Sequence, residues 1–247
     1  MTTSGAPRPP IEVFAFGPAW GIPIPSPSPF GLKLLTWMRM YEVPYVLRIA
    51  NNPGQGPKKK SPWAKIDGQL IGDSELIIAR LKASAGRDLD QGLSPRDRGV
   101  ALSVQRMLED HYHQVWEHQL FILDAAWERG KEFFDQLPPV VRVLVRTLVR
   151  GDLRKQLHAR GVGRHSDDEI AAMGIADLEA IDALLGDNDF FFGDAPTDID
   201  ATVFGFLAVT YYIPSPSRVF EYLRSRPRLT AYCDRMLQRY FAGDAAA

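Results

Sequence analysis

Cysteine is nearly absent from this chain of 247 residues, which contains Cys233 alone. One cysteine cannot form a disulfide within the chain, and by itself it cannot provide a cluster of thiolate ligands for a metal. Folding without disulfides is typical of reducing compartments, and we therefore expect a cytoplasmic protein.

A surplus of basic residues is also missing, because 29 Lys and Arg residues stand against 30 Asp and Glu residues, a formal net charge of −1. Proteins that bind nucleic acids usually carry a basic surface, so no nucleic-acid partner is expected. No apolar run approaches the roughly 18 residues of a membrane-spanning helix, so no membrane span is expected. Residues 1–10 are rich in proline and lack the features of a signal peptide, which predicts a disordered lead-in.

Strand patterns occupy only the first third of the chain. Residues 11–16 and 45–49 are rich in β-branched and aromatic residues and predict two strands. Between them, a proline-rich loop leads to Ser28-Pro29, a favoured N-cap and first residue of a helix. Residues 63–71 predict a hairpin with an Asp67-Gly68 turn, followed by a helix that Asp73 or Ser74 caps.

Strand signals stop near residue 95, and helical patterns follow. They cover residues 95–131, 138–158, 166–185, 197–212 and 218–241. An α/β half followed by an all-α half predicts two domains, 11–84 and 95–241, joined by the polar linker 85–94.

Three motifs in this order resemble a known superfamily. Lys60-Ser61-Pro62-Trp63 precedes the hairpin, and residues 67–74 read Asp-Gly-Gln-Leu-Ile-Gly-Asp-Ser. In residues 192–200, Phe-Gly-Asp-Ala-Pro-Thr-Asp-Ile-Asp, Thr197 and Asp200 have the spacing of a capping box. The chain resembles the glutathione S-transferase superfamily, which implies an N-terminal thioredoxin-like domain followed by an all-helical domain.

Two further segments narrow the resemblance to one branch. Ser28-Pro29-Phe30-Gly31-Leu32-Lys33 and Trp37-Met38-Arg39-Met40 resemble the metaxin-like, or failed-axon-connections-like, branch. That branch often has cysteine where this chain has Gly31, so a two-cysteine redox site is impossible here. Ser28 stands at the position of the nucleophile.

The resemblance implies glutathione as a cosubstrate, a small hydrophobic electrophile and a homodimer. It implies a cis peptide bond at Ser61-Pro62, and it implies that Asp73 and Ser74 hold the γ-glutamyl end of glutathione. Ser28 is the candidate catalytic residue, because its hydroxyl at a helix N-terminus can stabilise a thiolate. The other residues expected to contact glutathione are Trp20, Lys33, Lys60, Ser61 and Pro62.

Each of these roles has a structural alternative. Ser28 and Asp73 can be helix caps only, Pro62 can be trans, and Lys60 can be a solvated loop lysine. The whole protein can be a transferase, a non-catalytic metaxin-like binding or scaffold protein, or a glutathione-binding stress protein with weak peroxidase activity.

Two patterns in the helical half are open to a second interpretation. His111, His113 and His118 lack the i, i+4 spacing of zinc ligands, so no metal is expected, although their helix can contact the electrophile. Arginines at 142, 146 and 150 make a basic stripe, which indicates either an ordinary surface helix or a face for a membrane or partner.

Overall fold

A mixed four-stranded sheet forms the centre of the first domain. The computed structural model describes residues 10–243, so the predicted lead-in lies almost wholly outside the described residues. Strands β1 (Ile11–Ala15), β2 (Tyr45–Ile49), β3 (Trp63–Ile66) and β4 (Gln69–Gly72) lie in the order β2-β1-β3-β4. β1 pairs in parallel with β2 and antiparallel with β3, and β3 and β4 form the predicted hairpin.

Two helices complete this domain, α1 (Pro29–Met40) and α2 (Ser74–Lys82). The connection between β2 and β3 contains the short 3-10 turn Pro53–Gln55. Almost every residue of α1 is buried, from Pro29 to Met40. The predicted thioredoxin-like domain is confirmed.

The rest of the chain is helical, as predicted. Its helices are α3 (Pro95–Arg106), α4 (His113–Glu117), α5 (Asp124–Gly130), α6 (Pro139–Arg160), α7 (Asp167–Leu185), α8 (Asp198–Tyr212), α9 (Arg218–Arg224) and α10 (Pro227–Phe241). Two π-helical segments, Met107–Tyr112 and His118–Ile122, join α3 to α4 and extend α4.

Two of the predicted helices are each divided into shorter helices at a residue whose backbone is not helical. The pattern over 95–131 ends at Leu123, whose ψ of 124° is extended, before α5 begins. The pattern over 218–241 is divided at Arg226, because the residue before a proline, here Pro227, is disfavoured in the helical region.

Helix α6 lies at the surface, and the three arginines of the predicted stripe are half-buried. Arg142 donates to the carbonyls of Asp135 and Leu137, and Arg150 donates to those of Phe121 and Ile122. The exposed large hydrophobic side chains of α6 are Val140, Val141, Val143, Leu144 and Leu148. Among residues 10–243, no helix is both long and apolar enough to cross a bilayer.

The capping box at the start of α8 is confirmed, and it extends beyond the helix. The buried carboxylate of Asp200 accepts hydrogen bonds from the backbone N–H groups of Thr197 (2.8 Å) and Phe191 (2.9 Å). The hydroxyl of Tyr232, on α10, donates to the same carboxylate at 3.0 Å. Asp200 therefore joins α8, α10 and the loop before α8.

Asp200→Asn is expected to lower the free energy of unfolding by roughly 2–3 kcal/mol, because an amide NH₂ would face buried donors. Asp97→Asn is the matched control, since Asp97 holds the same capping-box position at the less buried start of α3. Its expected loss is about 1 kcal/mol or less. Urea unfolding of both variants checks the difference, and equal losses would contradict a special role for Asp200.

Candidate functional site

Ser28 caps α1 at the edge of the cleft between the two domains. Its backbone is extended (φ −89°, ψ 126°), and its Oγ accepts a hydrogen bond from the N–H of Gly31 at 3.3 Å. A hydroxyl that accepts one hydrogen bond still has its own proton to donate. Ser28 can therefore cap the helix and donate to an anion at the same time, so its two predicted roles are compatible.

The lack of a side chain at Gly31 is explained by its contact with Ser26, a residue that no sequence pattern marks. Ser26 is fully buried, and a Cβ at position 31 would lie 2.8 Å from its Oγ. Ser26 thus fills the space that a cysteine side chain at position 31 would need. No sequence motif marks Ser26, because its importance comes from the return of the loop against α1.

The loop before β3 forms the next part of the cleft. The Ser61–Pro62 peptide bond is cis, as the resemblance implies, and the Pro62 carbonyl accepts from the N–H of Asp73 at 3.4 Å. The Oγ of Ser61 is buried and has no hydrogen-bond partner among the described residues. Lys60 is exposed beside it.

Asp73 caps α2 and keeps one carboxylate oxygen available. Its Oδ1 accepts from the N–H groups of Glu75 (2.9 Å) and Leu76 (3.4 Å), and its Oδ2 lies 3.9 Å from Nζ of Lys58. Its φ of 90° is uncommon for a residue other than glycine. Ser74 is buried directly behind it. An exposed carboxylate and a helix N-terminus therefore stand together at the cleft.

Lys33, one of the predicted glutathione contacts, is buried where the two domains meet. Its side chain is only 2% exposed, and its ammonium forms ion pairs with Glu75 at the start of α2 and Glu109 in the helical domain. Burial raises the pKa of Glu109, although Lys33 opposes this. Burial also acts to raise the pKa of Glu75, but the charge and hydrogen bond of Lys33, together with smaller contributions from Gln105 and Arg106, lower that pKa below its usual range. Lys33 thus links the two domains, and its contact with glutathione stays a prediction.

A continuous series of aromatic rings links the first domain to the helical domain. Trp20 donates from Nε1 to the Arg129 carbonyl at 2.8 Å, which ties the loop after β1 to the helical domain. The aromatic contacts continue from Trp20 through the rings of Phe133, Phe121, Trp116, His113 and Phe30, with centroid separations of 4.9–6.1 Å. Phe121 and Phe133 could not be predicted from the sequence, because neither belongs to a motif.

The three neighbouring histidines face three different carboxylates. His111 contacts Asp177 at 2.7 Å, His113 lies 3.9 Å from Glu117, and His118 lies 3.2 Å from Asp167. Within residues 10–243, no group of three or more His, Cys, Asp and Glu side chains is arranged to hold a metal.

The fold and these contacts define the class: a thioredoxin-like domain with a cis-proline beside the start of its last helix, packed on an all-helical domain. Residues 29–127 match the Glutathione S-transferase N-terminal domain, and residues 174–236 match the Glutathione S-transferase C-terminal domain. The chain belongs to the glutathione S-transferase family.

Named relatives support both the family and the branch. The chain is 28% identical to isoprene-epoxide–glutathione S-transferase from Rhodococcus sp. (strain AD45), over 93% of this chain and 99% of that protein. It is 30% identical to Failed axon connections of Drosophila melanogaster, over 88% of this chain but 55% of that longer protein. It is 35% identical to a Metaxin-1 homolog of Caenorhabditis briggsae, over 87% of this chain and 72% of that protein. The predicted resemblance to the metaxin-like branch is confirmed.

Solved structures show the same fold. One is a glutathione S-transferase of Ceriporiopsis subvermispora in complex with glutathione, with a TM-score of 0.64 and 14% sequence identity. The match covers 97% of this chain and 98% of that one. At this identity the likeness is one of architecture.

Lys33→Met is expected to lower the free energy of unfolding by roughly 3–5 kcal/mol, because it leaves two partly buried carboxylates without their cation. Arg48→Met is the control, since the Arg48–Glu12 pair on the sheet is more exposed and should contribute at most about 1 kcal/mol. Urea unfolding measures both losses. A loss for Lys33→Met no larger than that for Arg48→Met would refute the bridging role.

Proposed function

We propose that the protein activates the thiol of glutathione for attack on a small electrophile. The observation that carries the proposal is the hydroxyl of Ser28, which caps α1 and still has a proton to donate. The proposal is supported by the family and by the relative from Rhodococcus, whose printed name assigns it an epoxide and glutathione.

Ser28 can lower the pKa of the thiol in two ways. A free thiol has a pKa near 8.5, so only a few per cent is ionised at neutral pH. Lowering that pKa by two units requires about 2.7 kcal/mol of preferential stabilisation of the thiolate. A hydrogen bond from a hydroxyl to the anion and the positive end of α1 are together of that magnitude. Glutathione is a cosubstrate here, and the resulting thiolate attacks carbon.

The other end of glutathione is assigned to the start of α2. Oδ2 of Asp73, which lies 3.9 Å from Nζ of the exposed Lys58, can pair instead with the ammonium of the γ-glutamyl group, and the first N–H groups of a helix favour a carboxylate. Lys60 and its neighbours Lys58 and Lys59 are exposed and can attract the glycine carboxylate. Ser61 and Pro62 lie between these two groups.

A non-catalytic binding protein is the second candidate function. It is favoured by the similarity to Failed axon connections and the Metaxin-1 homolog, and by the hydrogen bond that Ser28 already accepts as a cap. The two candidates differ in what happens after binding: the enzyme turns over an electrophile, and the binding protein does not.

Ser28→Ala is expected to lower kcat/KM for conjugation of 1-chloro-2,4-dinitrobenzene at pH 7 by up to about 25-fold, because losing a two-unit shift in the thiol pKa returns the thiolate from most of the thiol to a few per cent. Ser94→Ala is a matched control, because Ser94 also precedes a proline and caps a helix, α3, through the N–H of Asp97. Both variants should lose about 1 kcal/mol of stability as N-cap losses. Only Ser28→Ala should lose turnover.

Three outcomes of this comparison separate the hypotheses. Equal turnover in both variants would mean that Ser28 is a cap only. Binding of glutathione without turnover in the unaltered protein would favour the non-catalytic role. Failure to bind millimolar glutathione in calorimetry would exclude both glutathione-based functions.

Asp73→Asn is expected to raise KM for glutathione by about tenfold, with kcat nearly unchanged. Asparagine preserves the cap of α2 but removes a charged hydrogen bond worth about 1.5 kcal/mol or more. Asp67→Asn removes the same charge from the nearby hairpin turn and should leave KM unchanged. Steady-state kinetics with varied glutathione checks both, and a fall in kcat alone would contradict the binding role.

A homodimer in the cytoplasm is proposed as the form in which the protein works. Three exposed leucines, Leu70 on β4, Leu76 on α2 and Leu102 on α3, support an interface on this side of the molecule.

A further inference from the structure

Helix α6 exposes an apolar surface that the proposed thiol chemistry does not use. Of its 22 residues, Leu157 alone is buried. Four large apolar side chains in its first half, each between 60% and 89% exposed, form what we call the apolar patch: Val140, Val143, Leu144 and Leu148. They are neighbours at helical spacing and so form one continuous surface. An exposed apolar surface of this kind usually marks a site of interaction.

The same face of α6 is basic in its second half. Arg154 and Lys155 lie about three helical turns after Val143 and Leu144, and therefore on the same side of the helix. Both basic side chains are exposed, and no carboxylate is paired with Lys155 in the described part of the chain. The outer face of α6 thus changes from apolar to cationic along its length.

The carboxylates near α6 do not cancel this charge. Asp135 pairs with Arg142 and Arg146, and Asp124 pairs with Arg150 at 2.6 Å. Helix α6 itself contains six basic residues and one acidic residue. With the three carboxylates that contact it from other elements, Asp124, Asp135 and Glu117, a positive surplus remains.

This combination fits the boundary of an anionic bilayer. Apolar side chains can enter the edge of the hydrocarbon region, while neighbouring cations contact the headgroup phosphates. A protein interface is usually richer in aromatic side chains and hydrogen bonds. The apolar patch contains only valine and leucine, and the hydroxyl of Thr147 beside it already donates to the Val143 carbonyl at 3.2 Å.

The size of the apolar patch sets the strength of such binding. Its four side chains contain about 14 carbons, as many as one myristoyl chain, which alone gives only marginal and reversible membrane binding. A second signal is needed, and each Lys or Arg near an anionic surface strengthens binding by about fivefold. The apolar patch and the cations together therefore predict reversible binding that depends on lipid charge.

We propose that the outer face of α6 is a reversible docking surface for an anionic membrane. The apolar patch enters the interface, and Arg154 and Lys155 contact lipid headgroups. The inference is independent of the chemistry at Ser28, so membrane binding and conjugation can be measured separately. Docking brings the protein to the phase in which small apolar molecules concentrate.

The test is cosedimentation of the full chain with vesicles of phosphatidylcholine, either alone or with about a third phosphatidylglycerol. Binding to the anionic vesicles should be tighter by about tenfold or more, because two cations meet the charged surface. This difference should disappear in about 1 M NaCl, where the Debye length is about 3 Å.

Two pairs of variants locate the contact. Leu148→Gln should weaken binding to both kinds of vesicle by about tenfold or more, because a leucine no longer enters the interface. Leu184→Gln is its matched control, since Leu184 is an exposed leucine on α7, and should change binding by less than about twofold.

The second pair removes one positive charge in each variant. Lys155→Gln should weaken binding to the anionic vesicles alone, by about fivefold. Lys65→Gln removes an exposed lysine on β3 instead and should have less than about a twofold effect. Thermal unfolding of all four variants should match that of the unaltered protein, because each replaced side chain is exposed.

Four outcomes would overturn the inference. They are absence of sedimentation with either kind of vesicle, equal binding to both kinds, binding that Leu148→Gln does not weaken, and an oligomer without lipid that Leu148→Gln dissociates. The last outcome would assign the apolar patch to a second copy of the chain. Vesicle binding without conjugation of the chloroarene would overturn the proposed function and leave this inference standing.

Discussion

The packing of α8 on α1 is the constraint on which the rest of the structure depends. Helix α8 is buried from Ile199 to Thr210, and it packs along α1, which is itself almost wholly buried. The two helices approach so closely that a Cβ at Gly205 would lie 2.8 Å from the Pro29 carbonyl and 3.0 Å from the Lys33 backbone nitrogen. A glycine in a helix interior costs about 1 kcal/mol relative to alanine. Here it allows the N-terminus of α1, with Ser28, to sit against the helical domain.

Charged groups at the same junction set how the domains meet. Lys33 reaches from α1 to both domains, and Lys82 at the end of α2 contacts Asp198 at 2.6 Å on the first residue of α8. The hydroxyl of Tyr41 donates to the same Asp198, and burial with this hydrogen bond raises the pKa of Tyr41 to about 12. A rotation of one domain against the other would break either the ion pairs of Lys33 or the contacts of Lys82 and Tyr41 with Asp198. These contacts therefore fix the position of the α1 N-terminus, and with it Ser28, relative to the helical domain.

Local sequence patterns are sufficient to predict the elements that depend on residues close together in the chain. The strands, the hairpin turn, the cap at Ser28 and the capping box at Thr197 each depend on residues a few positions apart, and all are present. Lys33 could not be placed in this way, because a lysine on a helix is usually solvated and only Glu75 and Glu109 explain its burial. Helix α6 is a similar case. Its arginines bind carbonyl oxygens from distant turns, and these are absent from any periodic pattern.

The cleft shows why the role of a cap depends on its surroundings. Ser28-Pro29 and Ser94-Pro95 are the same dipeptide with the same backbone task, and both hydroxyls accept from an N–H three residues later. The difference lies in what the tertiary fold brings to each helix N-terminus. At Ser94 it is the capping carboxylate of Asp97, which accepts the hydroxyl proton at 2.7 Å. No acid caps α1, since its first turn contains no acidic residue, and the proton of Ser28 stays available. The absence of one carboxylate at α1 thus separates Ser28, a candidate thiolate ligand, from Ser94, which is a helix start signal only.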